Sequence, residues 1–362
     1  MIKFLAEEYV NQYSFLNFFN FITFRAGAAI LTSLFFSLIF GNLIINSLSR
    51  IQPGGQPIRK DGPETHLIKK AGTPTMGGLL IILSVLISIL LWSDLSNNLI
   101  WISLLSLLSF GVIGFYDDYK KIKLNSSNGL KAKTRIFIQV ILCIVIIFLI
   151  INNLDNNLGK SIAFPFFKNL IIDFGILYYA IGAFIIIGSA NSVNLTDGLD
   201  GLAIVPVMIV AISFAFISYV TGNLVFAKYL LISYIPGTGE LSVFCGALIG
   251  SALGFLWFNA PPAMVFMGDT GSLSIGGALG GISVVTKHEL VLAIIGGLFV
   301  LETVSVIVQV TSFKLTGRRV FRMAPLHHHF EQKGWAEPTI VIRFWIIATV
   351  LALAGLATLK LR

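Results

Sequence analysis

The chain has 362 residues, of which 56% are hydrophobic and 12% are charged, and its mean hydropathy is +0.88. A soluble domain carries about 25% charged residues, so this composition excludes a soluble protein and predicts one embedded in a membrane. The formal net charge of +8 fits attraction to anionic lipid and, in part, an anionic substrate, and no segment resembles a nucleic-acid-binding module.

Apolar runs of about 18 residues or more, long enough to cross a bilayer, recur along the chain. We predict an all-α integral membrane protein that forms a single polytopic domain over residues 1–362. Its ten predicted transmembrane helices cover residues 20–48, 76–93, 98–116, 134–152, 176–190, 200–221, 241–259, 271–287, 290–313 and 338–359. Residues 153–175 alternate apolar and polar side chains, which indicates a short external β-hairpin.

Lysine and arginine are concentrated in alternate loops. The segments 49–75, 117–135 and 314–337 carry five, six and five of them, whereas the intervening loops carry none to two. Basic loops face the cytoplasm, so an even number of spans places both termini on the periplasmic side. The same reasoning puts three acidic motifs on the cytoplasmic face of the membrane.

The first acidic motif is Asp117-Asp118, which follows the third apolar run and precedes Lys120, Lys121 and Lys123. One interpretation is a solvated helix end whose acids pair with the lysines. However, an acidic pair is disfavoured at the negative end of a helix dipole. Adjacent carboxylates in a partly desolvated site can divide two roles, because one stays ionised near a cation while the other accepts a proton.

The second motif spaces Asn191, Asn194, Asp197 and Asp200 by three residues, among glycines that indicate a broken helix. Their oxygen atoms suit a hard cation, or the hydroxyl and imide groups of a nucleotide. Turn formation and helix capping explain one or two of the four residues, but not easily all of them.

The third motif places Asp269 between two glycine-containing turns, directly before an apolar run. Helix capping explains an acid there, and a helix N-terminus flanked by glycines also binds phosphate. Magnesium typically takes one or two carboxylates together with waters and phosphate oxygens. Combined with the other two motifs on the same face, Asp269 therefore favours a magnesium–diphosphate site.

The last basic loop contains three consecutive histidines at 327–329. Adjacent side chains diverge, which argues against a zinc site, although His327 and His329 would point the same way in an extended loop. Their basic surroundings fit contact with a phosphate or sugar, and a simple surface loop is the alternative. Glu302 lies deeper in a span, where an intramembrane ion pair is favoured over a transporter-like interior.

The chain contains five motifs that resemble the bacterial phospho-N-acetylmuramoyl-pentapeptide-transferase family. In order, they are KKAGTPTMGG from Lys69, GFYDDYKK, NSVNLTDGLDG, NAPPAMVFMGDTGS and PLHHHFEQKGW. The acidic motifs resemble the whole superfamily of polyprenyl-phosphate N-acetylhexosamine-1-phosphate transferases, whereas the histidine run is more particular to the muramoyl branch. The resemblance covers nearly the whole chain. It implies transfer of phospho-MurNAc-pentapeptide from its UDP carrier to undecaprenyl phosphate, with Mg2+ as cofactor, giving lipid I and UMP at the inner face of the bacterial plasma membrane.

The resemblance also implies roles for individual residues. Asp269 is the expected magnesium ligand, with Asn191 as a second oxygen donor. The predicted catalytic residues are Asp117 as candidate base, Asp118 in support of it or of the metal, Asp269, His327 and His328. The predicted substrate-binding residues are Lys70, Thr75, Lys121, Lys133, Asn194, Asp197, Asp200, Asn259, Phe266, Gly268, Ser272, Gln309 and His329. Among them, Lys70, Asp200 and Phe266 resemble positions of a uridine pocket.

The expected partners are UDP-MurNAc-pentapeptide, undecaprenyl phosphate and the lipid bilayer, with no nucleic acid, and a homodimer stays open. Two other functions also stay open: a sibling transferase that uses a UDP-N-acetylhexosamine, and a secondary transporter. Transporters place functional ionisable groups near the bilayer midplane between inverted repeats. Here those groups cluster at the cytoplasmic edge and no repeat is visible, so transport is disfavoured. The residues leave open both direct attack by the lipid and an aspartyl-phosphosugar intermediate.

Overall fold

The computed structural model describes residues 1–9, 11–56, 72–126, 129–154, 156–167 and 170–360. Lys70, which the resemblance places in a uridine pocket, lies outside these residues. The described part of the chain is largely helical. Its α-helices are α1 (Ile2–Tyr9), α2 (Ile22–Ile51), α3 (Gly78–Trp92), α4 (Asn98–Lys123), α5 (Ala132–Asn153), α6 (Asn156–Gly159), α7 (Tyr178–Thr196), α8 (Ile204–Thr221), α9 (Leu224–Leu230), α10 (Leu241–Asn259), α11 (Gly268–Thr286), α12 (Glu289–Ile295), α13 (Gly297–Thr316), α14 (Leu326–Glu331) and α15 (Glu337–Ala357).

Eight of the described helices are long and apolar enough to cross a membrane, which confirms an all-α, multi-pass membrane protein. They are α2, α4, α5, α7, α8, α10, α13 and α15. The helix α3 has only 15 residues, and α11, although 19 residues long, is not among the eight. Each of the ten predicted segments overlaps a helix, but the count of ten spans stays a prediction.

The helix α11 lies inside the bundle and contacts other helices. Every residue from Thr270 to Thr286 is buried. A Cβ atom on Gly276 would lie 2.7 Å from the Cα atom of Ala190 on α7, so only glycine fits there. Small residues at helix contacts let backbones approach closely, as is common in membrane proteins. The modest apolar content of α11 therefore reflects contact with protein instead of lipid.

The predicted span at 290–313 is divided into two helices. The helix α12 ends at Ile295, α13 begins at Gly297, and Gly296 lies between them. A single helix over 290–313 was therefore wrong. The physical reason is local, because two adjacent glycines have low helix propensity.

The predicted hairpin is present as a two-stranded antiparallel sheet. Its strands are β1 (Ser161–Ala163) and β2 (Ile171–Asp173). A buried lysine attaches the start of this segment to the helices, because Lys287 Nζ donates hydrogen bonds to the Gly159 carbonyl oxygen at 2.9 Å and to Tyr178 Oη at 2.7 Å. The hairpin is thus fastened to the junction of α11 and α12.

Candidate active site

Three carboxylates from two helices meet in one cluster. Asp117 and Asp118 lie near the C-terminal end of α4, and Asp269 lies in the first turn of α11. One oxygen atom of each carboxylate can be chosen so that all three lie within 4.8 Å of one another. Asp117 and Asp118 are 2% and 1% exposed, so the cluster is largely withdrawn from solvent. The structure thus brings together the three acids that the sequence placed on one face.

The acidic pair lies inside α4 and not beyond its end. The sequence ended this span at residue 116, but α4 continues to Lys123. Asp117 and Asp118 are therefore not at the unpaired carbonyl groups of the helix terminus, and the argument from an unfavourable dipole was wrong for this pair. Three lysines in the last turn instead occupy the negative end, where cations are favoured.

Lys121 lies among the three carboxylates. Its Nζ atom is 2.6 Å from Asp117 Oδ2, 2.9 Å from Asp269 Oδ2 and 3.6 Å from Asp118 Oδ1. Because Lys121 follows Asp117 by four residues, one turn of α4 brings both groups to the same helix face. The lysine was predicted to bind substrate, and in the described structure its ammonium group compensates the charge of the acids.

Each acid also holds a neighbouring part of the backbone or a polar side chain. Asp118 Oδ2 accepts hydrogen bonds from Thr270 N at 2.9 Å and Thr270 Oγ1 at 2.8 Å. Asp117 Oδ1 accepts one from Leu130 N at 2.6 Å. Asp269 Oδ1 accepts one from Asn194 Nδ2 at 2.7 Å. These bonds fix α4 against the start of α11 and against the segment that leads into α5.

Glycines allow this close approach. A Cβ atom on Gly114, one turn before Asp118, would lie 2.6 Å from Thr270 N and closer still to the Asp269 carbonyl group. Gly268 has a φ of +72°, which favours glycine, and a Cβ atom there would lie 2.6 Å from Thr75 Oγ1. The glycine before Asp269 is thus explained by backbone geometry, and its predicted role in lining a substrate cleft stays a prediction.

The residues present fit a hard divalent cation. Carboxylate oxygens are preferred magnesium ligands, and three carboxylates converge here. Asp118 Oδ1 and Thr75 Oγ1 are both buried and have no hydrogen-bond partner among the described residues. Buried polar atoms are nearly always paired, so unused oxygens beside an acidic cluster are consistent with a site for an ion or phosphate group.

Asn194 links Asp269 to Ser272 by hydrogen bonds. Asn194 Nδ2 donates a second hydrogen bond to Ser272 Oγ at 2.8 Å. Asn191, one turn earlier on α7, donates its Nδ2 to Gln139 Oε1 at 3.1 Å and to the carbonyl oxygen of Ile187 at 2.8 Å. Both bonds of Asn191 use its nitrogen, and its predicted role as an oxygen ligand of the metal stays a prediction.

Three of the predicted substrate-binding residues make hydrogen bonds that join three loops. Asp200 Oδ2 accepts a hydrogen bond from Ala263 N at 3.1 Å, and Asn259 Oδ1 accepts one from Gly201 N at 3.0 Å. Phe266 N donates to the Pro74 carbonyl oxygen at 2.9 Å. These contacts hold the segments after α7, after α10 and before α3 beside one another. The predicted broken helix is also present, because α7 ends at Thr196 and Asp197 is its C-terminal cap.

The three histidines lie on the short helix α14. His327 is completely buried, His328 Nδ1 lies 3.0 Å from Glu331 Oε2, and His329 Nδ1 accepts a hydrogen bond from Arg322 N at 3.1 Å. His327 and His329 could point the same way only in an extended loop, and that condition is not met because the segment is helical.

Partial burial, together with the positive charges of Lys333 and Arg322, lowers the pKa of His329. Its imidazole therefore favours the neutral form, in keeping with its role as a hydrogen-bond acceptor.

Gln309 of α13 holds the loop between α13 and α14, because its Oε1 accepts hydrogen bonds from Val320 N at 3.0 Å and Phe321 N at 2.9 Å. The predicted contact of Gln309 with substrate stays a prediction.

One cation near the cluster was not selected from the sequence. Arg135, in the first turn of α5, places Nη1 3.4 Å from Asp269 Oδ2. Lys133, which was selected, is exposed. Both residues belong to the same basic segment, and the start of α5 at Ala132 determines which of them reaches Asp269.

The chain is similar to known proteins over the segments that contain these residues. The family model described as glycosyl transferase family 4 matches residues 100–287, which contain all three acids of the cluster. The first signature of phospho-N-acetylmuramoyl-pentapeptide-transferase matches residues 70–82, which include Thr75. A phospho-N-acetylmuramoyl-pentapeptide-transferase from Pelagibacter ubique (strain HTCC1062) is 59% identical over 362 residues, covering 100% of both chains.

Proposed function

Because this chain belongs to glycosyl transferase family 4 and to the phospho-N-acetylmuramoyl-pentapeptide-transferases, we propose that it transfers phospho-MurNAc-pentapeptide from UDP-MurNAc-pentapeptide to undecaprenyl phosphate. The products are lipid I and UMP. The observation that carries the proposal is the convergence of Asp117, Asp118 and Asp269 with Lys121, inside the segment that the family model matches.

The chemistry of the cluster suits phosphoryl transfer. A lipid phosphate oxygen attacks the sugar-linked phosphorus of the diphosphate, the bond to the uridine-linked phosphate breaks, and UMP leaves. This reaction needs positioning and charge neutralisation more than covalent work by the protein. Lys121 and Arg135 supply positive charge beside Asp269, while Asp117 is the candidate proton acceptor. The lipid phosphate is largely ionised at physiological pH, so a base contributes modestly.

Asp269, with Asn191 as a second oxygen donor, is the proposed magnesium ligand, and Asp118 is placed to assist. When bound, magnesium stabilises the charge that develops on diphosphate oxygens. The hydrogen bonds that join α4, α7 and α11 would keep these ligand residues in place when the ion and the phosphates bind. The predicted contacts of Lys70, Asp200 and Phe266 with uridine, and of the histidines with phosphate or sugar, complete the proposed substrate site.

We also propose the finer topology that the basic loops predict. It has ten spans, both termini outside, and the acidic cluster at the cytoplasmic face of the bacterial inner membrane. The short helix α3 and the buried helix α11 would supply the two spans beyond the eight that length and hydropathy identify.

The proposal is tested by UMP release from purified protein supplied with undecaprenyl phosphate and Mg2+. We expect release with UDP-MurNAc-pentapeptide, little release with UDP-N-acetylglucosamine, and loss of release when EDTA removes the metal. The second nucleotide distinguishes the sibling transferase. Absence of UMP release with either nucleotide in folded protein would overturn the proposal, and counterflow of a labelled solute would instead support a transporter.

Arg135 should contribute more to this activity than Lys133 does. We expect Arg135→Ala to lower kcat/KM for UMP release by roughly ten- to a hundredfold, because a hydrogen bond to a charged group contributes about 1.5–3 kcal/mol. Arg135→Lys should recover part of the loss, and Lys133→Ala should cost less than Arg135→Ala. Equal losses in the two alanine variants would contradict the assignment of Arg135 to the site.

A further inference from the structure

Glu302, to which the proposed reaction assigns no role, contacts His327. Both side chains are 0% exposed, Glu302 on α13 and His327 on α14. Glu302 Oε1 accepts a hydrogen bond from the backbone N of His327 at 3.2 Å and lies 3.3 Å from His327 Nδ1. The intramembrane partner that the sequence favoured for Glu302 is therefore a residue of the histidine run.

This pair has unused hydrogen-bonding capacity. Glu302 Oε2 and both ring nitrogens of His327 are buried and have no hydrogen-bond partner within the described residues. An isolated carboxylate is costly to bury unless it is paired and hydrogen-bonded, and in the described part of the chain the partner of Glu302 is His327. Unpaired buried polar groups require an explanation, and a catalytic role is one such explanation.

The other edge of the imidazole faces the loop that follows α7. A Cβ atom on Gly198 would lie 3.1 Å from His327 Cε1, and the Nε2 atom would be closer still. Gly198 lies between Asp197 and Asp200, both in the predicted substrate-binding set. The ring therefore has Glu302 near Nδ1 on one side and the substrate-binding loop near Nε2 on the other.

We propose that Glu302 is a positioning residue that sets the tautomer of His327. A carboxylate beside Nδ1 stabilises the proton on that nitrogen, which leaves Nε2 as a hydrogen-bond acceptor. Nε2, which faces Gly198, then supports the loop that carries Asp197 and Asp200. This inference rests on the proposed transferase function and adds a residue to it.

The first test is kinetic. Glu302→Gln keeps the volume and an acceptor for the backbone N of His327 but removes the charge. We expect kcat for UMP release to fall roughly 10- to 100-fold, the range seen when a group that orients a metal-bound histidine is replaced. The KM for undecaprenyl phosphate and the Tm should stay near the wild-type values. Thr303→Val, at the next residue of α13, is the matched control and should keep the wild-type kcat.

The second test does not depend on turnover. The chain has five histidines, so nitrogen NMR of histidine-labelled protein, with His327→Gln to assign the signal, reports the His327 tautomer. We expect a proton on Nδ1 in the wild type and a smaller fraction of it on Nδ1 in Glu302→Gln, because a neutral amide oxygen stabilises that proton less than a carboxylate does. A wild-type kcat in Glu302→Gln, or a proton on Nε2 in the wild type, would overturn the inference. If the wild type releases no UMP, the proposed function fails, while NMR still tests the pair.

Discussion

Replacing Asp269 by asparagine should reduce UMP release by roughly a hundred- to a thousandfold or more, the effect of removing one preorganised electrostatic contact in an active site. Asp269 Oδ2 lies 2.9 Å from Lys121 Nζ and 3.4 Å from Arg135 Nη1. Asparagine has the same shape and retains an acceptor for Asn194, but it lacks the negative charge. The two cations and the proposed magnesium ion would therefore lose a shared anionic partner. The measurement is UMP release as a function of magnesium concentration.

The matched control for this variant is Asp173→Asn. Asp173 is exposed at the end of β2, so the same change of charge should leave turnover at the wild-type level. Circular dichroism and size-exclusion chromatography in detergent should show that Asp269→Asn folds. Ordinary turnover of Asp269→Asn at ordinary magnesium would remove Asp269 from the proposed metal site.

Alanine at Gly114 should impair both stability and turnover. Its Cβ atom would meet the backbone of Asp269 and Thr270, which cannot rotate away as a flexible side chain would. The helices α4 and α11 must then separate, which lengthens the Asp118–Thr270 hydrogen bonds. Overpacking typically costs about 1–3 kcal/mol, and a misplacement of about 1 Å in an active site can cost about a hundredfold in rate. The Tm and the rate of UMP release measure the two effects.

Gly188→Ala on α7 separates this effect from a general response to alanine. A Cβ atom on Gly188 meets nothing within 4 Å. Alanine favours a helix over glycine by about 0.5–1 kcal/mol, so Gly188→Ala should keep or slightly raise the Tm. A Tm and turnover for Gly114→Ala as high as those of Gly188→Ala would show that α4 and α11 are not held as closely as described.

The parts of the fold that face lipid were predictable from composition. The apolar runs at 20–48 and 338–359 correspond to α2 and α15, because a lipid-facing helix must be apolar over its whole length. The hairpin was predictable from the alternation of apolar and polar side chains over residues 153–175. The C-terminal end of α4 was not predictable. The polar residues from Asp117 to Lys123 are typical of a loop, but contacts with α11 keep them helical.

The acids of the candidate site were predictable as a set, but their partners were not. Acidic residues at the ends of apolar segments are rare in a membrane protein, so they are easily recognised in the sequence. Choosing Arg135 over Lys133, or pairing Glu302 with His327, requires knowing how α5, α13 and α14 are rotated and packed. Such choices depend on tertiary contacts between distant segments, and residue types alone carry no information about them.

The glycine contacts around α11 determine how the acidic cluster can respond to a ligand. Beside Gly114, a Cβ atom on Gly78 would lie 2.8 Å from the carbonyl carbon of Thr270, so the main chains of α3, α4 and α11 touch with no side chain between them. Because these contacts are between main-chain atoms, rotation of a side chain cannot increase the distance between the helices. The spacing of the helices that carry the carboxylates is accordingly set when the chain assembles in the bilayer, so a ligand is accommodated by rotation of side chains and not by separation of these helices.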